Sequence, residues 1–385
     1  MRRTFLYKLY RSKRNRRLHR LINVGGAIHN HAIALHKRYY RRYKKHLSYF
    51  QLKAHFAKLK RLPKYAWWKQ LRAQVIQNIV ERIDKGYQRF FQNLKDRKAG
   101  KTTQRVGPPT FRKIVKAKSF TMTQDGWKLL DGNRLLIHGT VYKFAKSRDI
   151  EGAVKTVTIK RDALGDLYVY FSCLVGTETP ERVTTGKSAG FDFGLRTYLT
   201  SNEGQTITAP QPFKAALRDL RKAHRQLSTK HAGSHNRAKA KAHLARVHRR
   251  IAHVRQAFHW QTAQELCQTY DHISLETLNL QGMKALWGRK VSDLGFASFV
   301  DILHHTAGKM GTVIHHIDRW FPSTKLCSAC GCVNHHITLR DTVWTCVHCG
   351  TTHQRDHNAA VNIYREGTSS RGVRRVSLAS VSVDG

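Results

Sequence analysis

The residues best suited to metal chemistry are four cysteines in two close pairs. Cys327 and Cys330 form the first Cys-x-x-Cys pair, and Cys346 and Cys349 form the second after fifteen intervening residues. A glycine follows each pair, as the tight turn of a metal-binding knuckle requires. Four thiolates suit tetrahedral zinc, and the spacing suits two short strands that bring the pairs to one ion. The sequence therefore predicts one structural Zn²⁺.

The other cysteines and the nearby histidines are not expected to bind this ion. Cys332 could replace Cys330 only by breaking the geometry of the first knuckle, so we expect a free thiol. Cys173 and Cys267 lie in apolar strand and helix contexts, which are typical of core cysteines. Because four cysteines complete the coordination shell, we expect the histidines of this stretch on the surface: His335, His336, His348 and His353.

Three carboxylates could form a second metal site with a different task. The chain has only 24 acidic residues, and three of them interrupt or follow apolar segments. Asp192 lies between two phenylalanines in GFDFGL, Glu276 follows the apolar residues ISL, and Asp356 begins a predicted helix with small residues in its second turn. A carboxylate among strand hydrophobics is unfavourable unless it is paired or bound to a cation.

The chemistry that these three acids could support is metal-assisted hydrolysis. Oxygen ligands suit Mg²⁺ or Mn²⁺, which also bind phosphates. Two such ions about 4 Å apart can activate a water and stabilise the leaving oxygen during phosphodiester hydrolysis. The spacing along the chain does not show that the acids meet, and each one alone could equally be an exposed residue at a strand end.

Positive charge dominates the composition. The chain has 70 Lys and Arg against 24 Asp and Glu, a formal net charge of +46, and its first 80 residues contain no acid. Such a chain repels itself unless a polyanion neutralises it, so the composition favours a nucleic-acid-binding protein. In the segment 36–50, HKRYYRRYKKHLSYF, aromatic residues alternate with cations, as base stacking and phosphate contact would require. The tyrosines could equally be helix core; the cations expected to bind nucleic acid include Arg38, Arg41, Arg42, Lys44 and Lys45.

The length and the apolar pattern indicate a protein of the cytoplasm. At 385 residues the chain is long enough for two or three domains. No segment approaches the roughly 18 consecutive apolar residues of a membrane span, and the basic N-terminus lacks the apolar core of a signal peptide. Paired cysteines in a reducing compartment favour metal binding over disulfides. We therefore expect no membrane partner.

Hydrophobic periodicity predicts helices and then strands in the N-terminal half. Residues 4–10 alternate as a short strand, and residues 21–98 show the three- and four-residue spacing of helices. A linker rich in Gly and Pro follows at 98–109. Beyond it, alternating segments predict a small antiparallel β domain, with strands at 119–130, 133–139, 153–160 and 166–175.

The C-terminal half mixes strands with one long helical segment. Residues 188–209 predict two strands around a turn at 201–204, and further strands are expected at 271–280 and 312–320. Between them, residues 213–260 predict a basic helical hairpin broken at Gly233-Ser234. The Ser-, Gly- and Arg-rich end of the chain is expected to be disordered.

Five motifs follow one another along the chain: GFDFGL, SLETLNL, FPSTKLCSACG, CVHCG and RDHNAAVNI. In this order they resemble the TnpB family, whose members are transposon-encoded, RNA-guided nucleases related to type V CRISPR effectors. Their order and spacing cover residues 187–366, and the weaker N-terminal pattern extends the resemblance over nearly the whole chain. The combination is far more specific than any one motif.

The resemblance implies an α/β, multidomain protein with a RuvC-type, RNase H-like nuclease domain. By motif match, Asp192, Glu276 and Asp356 take the three catalytic positions and bind two Mg²⁺, and a zinc ribbon precedes the last catalytic helix. The implied domains are a β-barrel wedge domain at 1–20 and 116–184, a helical recognition domain at 21–115, a nuclease domain at 185–366 with the hairpin 213–260 and the ribbon 321–353, and a disordered tail at 367–385.

The function implied by the resemblance is that of an RNA-guided DNA endonuclease that supports transposon maintenance. Its partners would be a guide RNA and double-stranded target DNA, bound by one chain with one RNA. The N-terminal domains would hold the RNA and the guide–target heteroduplex, while base pairing would supply the sequence specificity.

Other functions stay open at this point. The chain could be a nuclease-inactive, RNA-guided repressor, against which the three acids argue, or a CRISPR-associated miniature effector. A basic zinc-ribbon RNA-binding protein and a strand-transfer transposase are further alternatives. Departures from the family pattern are mild, such as Phe191 and Phe193 where smaller aliphatic residues are common.

Overall fold

The chain folds into two compact units, Met1–Thr177 and Glu178–Gly385, in a computed structural model that describes residues 2–176, 184–338 and 340–369. Both units combine helices with sheets, as an α/β multidomain chain should. Within the described residues, no helix combines the length and the apolar character needed to cross a membrane.

The N-terminal unit contains two antiparallel sheets. Its strands are β1 (Arg2–Lys8), β2 (Ser119–Met122), β3 (Trp127–Leu130), β4 (Arg134–Ile137), β5 (Thr140–Lys143), β6 (Ala153–Arg161) and β7 (Leu167–Leu174). One sheet has the order β1-β7-β6-β2 and the other β3-β4-β5, with an isolated bridge between Leu9 and Phe144. Alternate residues of β7 are buried, which confirms the period-two pattern. The segment 119–130 forms two strands on either side of Asp125-Gly126, a dipeptide typical of turns.

Three α-helices complete the N-terminal unit. They are α1 (Asn15–Tyr43), α2 (Tyr49–Leu59) and α3 (Ala73–Lys98), and short 3-10 helices span Pro63–Gln70 and Ile114–Lys116. Ser48 caps α2 in a capping box with Gln51. Apolar residues of the helices and of the first sheet share one core, which includes Leu18, Val80, Phe120 and Phe171. The helical region 21–98 is confirmed, although α1 begins six residues earlier; closure of the sheets into a barrel stays a prediction.

The C-terminal unit is built on a mixed five-stranded sheet. Its strands are β8 (Ser188–Phe193), β9 (Leu199–Ser201), β10 (Thr206–Ile207), β11 (His272–Leu275) and β12 (Val313–His316), in the order β10-β9-β8-β11-β12. The three strands β8, β11 and β12 run parallel, and β9 and β10 are antiparallel to their neighbours. A separate two-stranded antiparallel ribbon pairs β13 (Val343–Thr345) with β14 (Thr352–Gln354).

The helices of this unit are α4 (Pro212–Ala215), α5 (Leu217–Ser228), α6 (His235–Thr269), α7 (Leu280–Leu294), α8 (Phe296–Met310) and α9 (Arg355–Thr368). The predicted hairpin is confirmed with its break, since Ser234 caps α6 through the backbone N–H of Arg237. Its second arm runs on to Thr269, beyond the predicted end at 260.

Several predicted boundaries are wrong. The strand expected at 271–280 ends at Leu275, because Asn279 caps α7 through the N–H of Gly282. The first strand of 188–209 is interrupted between β8 and β9, and the strand expected at 312–320 ends at His316. Helix α9 includes residues 367 and 368 of the predicted tail, whose residues 370–385 lie outside the described part of the chain.

Candidate active site and metal centre

Parallel pairing of two strands brings Asp192 and Glu276 together. Strand β8 pairs with β11 so that Phe191 lies opposite Leu275, and the two acids each follow one residue later. Glu276 therefore lies just beyond the end of β11, not inside a strand as expected. The backbone N–H of Phe193 donates a hydrogen bond to the Glu276 carboxylate, which ties the two strand ends to each other.

The alternation of β8 separates the acid from the phenylalanines. Phe191 and Phe193 face the apolar core and contact Tyr270 and Phe296 edge-on. Gly190 and Asp192 lie on the opposite face, as residues two apart on a strand must. Asp192 is only 9% exposed there, so its charge is removed from most of the surrounding water.

Helix α9 covers this acidic face and carries Asp356 in its first turn. A Cβ on Gly190 would overlap the backbone of Tyr364, so α9 packs directly on β8. A Cβ on Gly194 would lie 3.8 Å from Asp356 Oδ2, which places that carboxylate beside the end of β8. Glycine at 190 is thus required for the close approach that brings the third acid to the other two.

The electrostatics of the three acids show that they interact. Burial raises the pKa of Asp192 well above its usual value, and the charges of Glu276 and Asp356 raise it further. Burial also raises the pKa of Glu276 to about 7, against the opposing effect of the Phe193 N–H. Both shifts favour the protonated carboxyl groups as long as no further positive charge lies nearby.

One cation of the protein already lies beside the group. The Arg355 guanidinium donates to Asp356 Oδ1 from Nε at 3.0 Å and from Nη2 at 2.9 Å, and it lowers the pKa of Asp192. Among the described residues, the oxygens of the three carboxylates do not all lie within 4.8 Å of one another. A donor set made only of carboxylate oxygens nevertheless fits hard divalent cations such as Mg²⁺.

The four predicted cysteines meet at one point in the ribbon. The Sγ atoms of Cys327 and Cys349 are 3.7 Å apart, those of Cys330 and Cys346 are 3.6 Å apart, and all four lie within 4.8 Å of one another. A tetrahedral zinc with bonds of about 2.3 Å holds its sulfurs about 3.8 Å apart, so the cluster fits this ion. The backbone N–H of Cys349 is the main cause of the pKa of Cys346 falling to about 6, which favours the thiolate that zinc requires.

The glycines of both knuckles have the backbone geometry that the sequence predicted. Gly331 has φ 75° and Gly350 has φ 71°, and each donates its N–H to the carbonyl of the cysteine that opens its knuckle. Cys332 lies near Cys330 and His348, but this alternative group shares Cys330 with the four-cysteine cluster. Cys332 is therefore outside the four-thiolate set.

His353 is more closely involved than the sequence indicated. Its Nε2 lies 3.1 Å from Cys327 Sγ, and its ring packs on Trp344 with centroids 4.7 Å apart. A ring N–H in this position orients a thiolate without ligating the metal. The other three histidines of the stretch are exposed, as expected. Alternation along the short strand β14 was the signal that turned this side chain inward.

Two asparagines tie the first knuckle to α9, and sequence reasoning missed both. Asn362 Nδ2 donates to the carbonyls of Ser323 and Leu326, and Asn358 Nδ2 also donates to Leu326. Asn358 Oδ1 accepts the N–H of Ser328 inside the knuckle. Both side chains are 2% exposed. Their spacing of four residues, which aligns them on one helix face, was the available signal.

The basic segment predicted to bind nucleic acid lies in the N-terminal unit, at the end of α1. All five predicted cations are exposed: Arg38, Arg41, Arg42, Lys44 and Lys45. Tyr40 is 60% exposed and Tyr43 is 51% exposed, whereas Tyr39 packs against the core. Tyr40 and Tyr43 are therefore exposed enough to stack on bases, whereas Tyr39 belongs to the helix core.

Two family models match the chain in the region of these sites. A model described as "Probable transposase", OrfB_IS605, matches residues 170–286, and one described as "Cas12f1-like, TNB domain" matches residues 296–363. The first match contains Asp192 and Glu276, and the second contains the four cysteines and Asp356. Together they span most of the C-terminal unit.

Individual proteins are similar over longer stretches. A "Putative RNA-guided DNA endonuclease" of Streptomyces pristinaespiralis is 29% identical over 384 residues, covering 96% of this chain and 90% of that protein. The TnpB-like protein L79 of Acanthamoeba polyphaga mimivirus is 29% identical over 243 residues, covering 58% and 46%. The solved structure of the mini-RNA-guided endonuclease CRISPR-Cas_phi3 aligns with a TM-score of 0.48 and 11% identity, covering 95% of this chain and 92% of that one.

Proposed function

Because the chain belongs to the TnpB family, we propose that it is an RNA-guided DNA endonuclease, an enzyme that hydrolyses phosphodiester bonds in DNA selected by a bound guide RNA. The observation that carries the proposal is the approach of the buried Asp192 and the half-buried Glu276 to a third acid at the end of one sheet. A cluster of carboxylates favours divalent cations, and the net charge of +46 favours a polyanionic substrate such as nucleic acid, whose phosphates also bind those cations.

In this proposal Asp192, Glu276 and Asp356 are the catalytic residues, and they hold two Mg²⁺ or Mn²⁺ ions. When bound, such ions would supply activation of a water and stabilisation of the leaving oxygen. The chain supplies the geometry: strand register fixes two of the acids, and α9 brings the third. Arg355, now bonded to Asp356, would also lie next to a phosphate drawn to the site.

The zinc ribbon has a structural task in this proposal. One Zn²⁺ on Cys327, Cys330, Cys346 and Cys349 closes the two knuckles, and the asparagine bonds then hold the first knuckle against α9. Since Asp356 begins that helix, zinc binding would fix the position of a catalytic carboxylate. The proposal thereby accounts for the short separation in sequence between the last zinc ligand, Cys349, and Asp356.

The remaining assignments extend the family resemblance to this chain. Residues 185–366 are proposed as the RuvC-type, RNase H-like nuclease domain, with the hairpin 213–260 as its insertion and the ribbon at 321–353. Residues 21–115 are proposed as the recognition domain, and 1–20 with 116–184 as the wedge domain. Guide RNA would contact exposed cations such as Arg41 and Arg42. One chain would bind one RNA and act on double-stranded DNA in the cytoplasm of a prokaryote.

The experiment that tests the function starts from the RNA that accompanies the purified protein. Sequencing should identify one discrete RNA, and the complex should cut double-stranded DNA that matches its guide segment when Mg²⁺ is present. DNA with a scrambled match is the control. No discrete RNA would contradict guided recognition, and tight binding of matched DNA without cutting would instead identify a nuclease-inactive repressor.

A further inference from the structure

Trp320 is an exposed aromatic side chain on a fixed turn. Its exposed fraction, 83%, is the largest among the large apolar side chains of the described residues. The turn is held by Asp318, whose Oδ1 accepts the N–H of Trp320 at 2.7 Å and whose carbonyl accepts the N–H of Phe321. The backbone is thus ordered while the indole faces solvent. Trp is enriched at binding interfaces, and an indole held in this way is available for a contact with a partner.

The turn leaves the sheet at the edge that carries the carboxylates. Strand β12 runs parallel to β11, and Ile317 continues the pairing by donating its N–H to Leu275. Thr277, the neighbour of Glu276, donates its hydroxyl to the carbonyl of Ile317 at 2.9 Å. Three residues span at most about 10 Å, so the backbone of Trp320 lies within that reach of Ile317.

The chemistry around the indole suits a nucleic acid strand. Arg319 precedes it along the chain and is also exposed, so a cation and an aromatic ring occupy adjacent positions of the turn. Aromatic rings stack on unpaired bases of any sequence, while cations contact the adjoining phosphates. At 83% exposure the face of the Trp320 ring is open to solvent and available to a base. A base already stacked within an intact duplex would not offer its face.

We propose that Trp320 is a stacking platform for an unpaired base of the DNA strand that is being cut, next to the phosphate held at the carboxylates. This inference rests on the proposed function and adds a substrate contact to it. The ring would stop the strand from sliding, and Arg319 would hold the phosphate beside the stacked base. Trp320 is a positioning residue in this scheme, because it contacts the strand away from the reacting atoms.

The first test couples the side chain to the base that it contacts. The RNA-loaded complex is given matched DNA in which single nucleotides around the cut are made abasic, and cutting rates are compared. We expect one or two abasic positions to slow the parent protein about tenfold. Trp320→Ala should slow cutting of intact DNA by about as much, with no further slowing at those positions. Trp320→Phe should keep most of the rate.

A matched control is Leu286→Ala in α7, which removes another large apolar side chain that is 68% exposed. It should leave the rate and the abasic profile unchanged. A normal cutting rate in Trp320→Ala would overturn the proposal. So would a slower variant whose cutting is slowed further at the same abasic positions, and by the same factor, as in the parent protein. Trp320→Ala could instead lower the molar mass of the RNA-loaded complex in light scattering and leave the effect of each abasic position unchanged. That result would also overturn the proposal, because it would place Trp320 at a contact between two copies of the chain.

A second measurement does not depend on cutting. Matched DNA with 5-iodouracil beside the cleavage position is irradiated on the complex in Ca²⁺, and the crosslinked peptide is identified by mass spectrometry. A crosslink at Trp320 is expected, and crosslinks that lie only elsewhere would contradict the proposal. A parent protein that crosslinks at Trp320 but never cuts in Mg²⁺ would overturn the nuclease function and leave the DNA contact standing.

Discussion

A carboxylate that is buried beside other carboxylates favours its protonated form unless a cation offsets the negative charge, and this determines the charge states of Asp192 and Glu276. Burial holds the pKa of Glu276 at about 7 and that of Asp192 well above its usual range. Near neutral pH, protons and divalent cations therefore compete for the same oxygens. The carboxylates bind metal in proportion to their ionised fraction.

In the N-terminal unit, several histidines are neutral side chains that pack inside a strongly positive chain. Burial lowers the pKa of several of them, among them His29, His31, His36 and His55. They are neutral at pH 7 and pack as aromatic rings; His31, for example, contacts Trp68 edge-on. In a chain of charge +46, a neutral polar ring fills the interior without adding repulsion. This gives a physical reason for part of the high histidine content.

His36 makes this account testable through pH. The side chain is 4% exposed, and burial lowers its pKa to about 4. The unfolded chain protonates first as pH falls below about 6.5, so stability is complete above that value and is lost towards pH 4. The loss should reach about 2 kcal/mol at pH 5, measured by urea unfolding of the intact chain at pH 7 and pH 5.

The substitution His36→Phe keeps a ring against Tyr87 and removes the titrating group. It should reduce the difference in unfolding free energy between the two pH values by about that amount, whereas His231→Phe, at an exposed position, should not. An equal pH dependence in the parent and in His36→Phe would show that other groups control acid stability.

At the scale of elements, the active site depends on how closely α9 approaches the sheet. Strand register alone aligns Asp192 with Glu276, but Asp356 reaches them only because glycine at 190 lets the helix backbone contact β8. Close contact of backbone with backbone leaves no flexible side chain to absorb an added atom. The third carboxylate is thus the one most sensitive to packing.

Gly190→Ala tests this dependence. The added methyl group would overlap the backbone of Tyr364, so α9 must move and carry Asp356 with it. We expect a loss of about 1–3 kcal/mol in unfolding free energy and a larger proportional loss of cutting by the RNA-loaded complex. Gly288→Ala in α7 is the control, since nothing lies within 4 Å of its added Cβ. Normal cutting by Gly190→Ala would show that α9 does not position the third acid.

Asn362→Ala tests the link between the ribbon and α9. It removes two hydrogen bonds to the carbonyls of Ser323 and Leu326, which keep only their bonds from Asn358, at a cost of about 1–2 kcal/mol. Zinc content should stay at one ion per chain by mass spectrometry, while cutting slows and more Mg²⁺ is needed for half the maximal rate.

The matched control for Asn362→Ala is Thr368→Ala, whose hydroxyl bonds only carbonyls of its own helix. Removal of zinc by a chelator should slow cutting by the parent in the same way, because it frees both knuckles. If cutting persists after zinc loss has been verified, the ribbon does not position Asp356.

The elements differed in how far the sequence predicted them. Period-two alternation identified β7, and Gly233-Ser234 marked the break before α6, since both signals are local. Helices α7 and α8 were missed, although the buried residues Phe296, Phe299 and Leu303 have helical spacing and Gly295 and Gly311 end the two helices. Local sequence patterns could not predict that the three acids approach one another, because this depends on strand register and on the contact of α9 with Gly190.

At the scale of the whole molecule, the excess of positive charge makes association with nucleic acid dependent on salt. Each cation that neutralises a phosphate releases a counterion, so the logarithm of affinity falls linearly with the logarithm of salt concentration. The exposed cations at the end of α1 are the predicted phosphate contacts in the N-terminal unit. The tyrosines exposed among them would add stacking that salt affects little.

Replacing Arg41 and Arg42 by alanine should therefore weaken RNA binding and reduce the salt slope by about 1 for each phosphate that the variant no longer neutralises. Affinity measured between about 50 and 200 mM salt gives the slope. Tyr40→Phe, which retains the ring, should leave it unchanged. An unaltered slope in the double variant would place the RNA on another surface.

The measurement that tests the account most directly is cutting by Asp192→Asn in the RNA-loaded complex. The substitution preserves the size of the side chain and removes the charge that the proposal assigns to metal binding. We predict normal RNA content and normal binding of matched DNA, with cutting reduced about a thousandfold or more, whereas Asp219→Asn at an exposed position of α5 cuts normally. Cutting by Asp192→Asn at the parent rate would contradict the account, because the carboxylate cluster would then not be the catalytic centre.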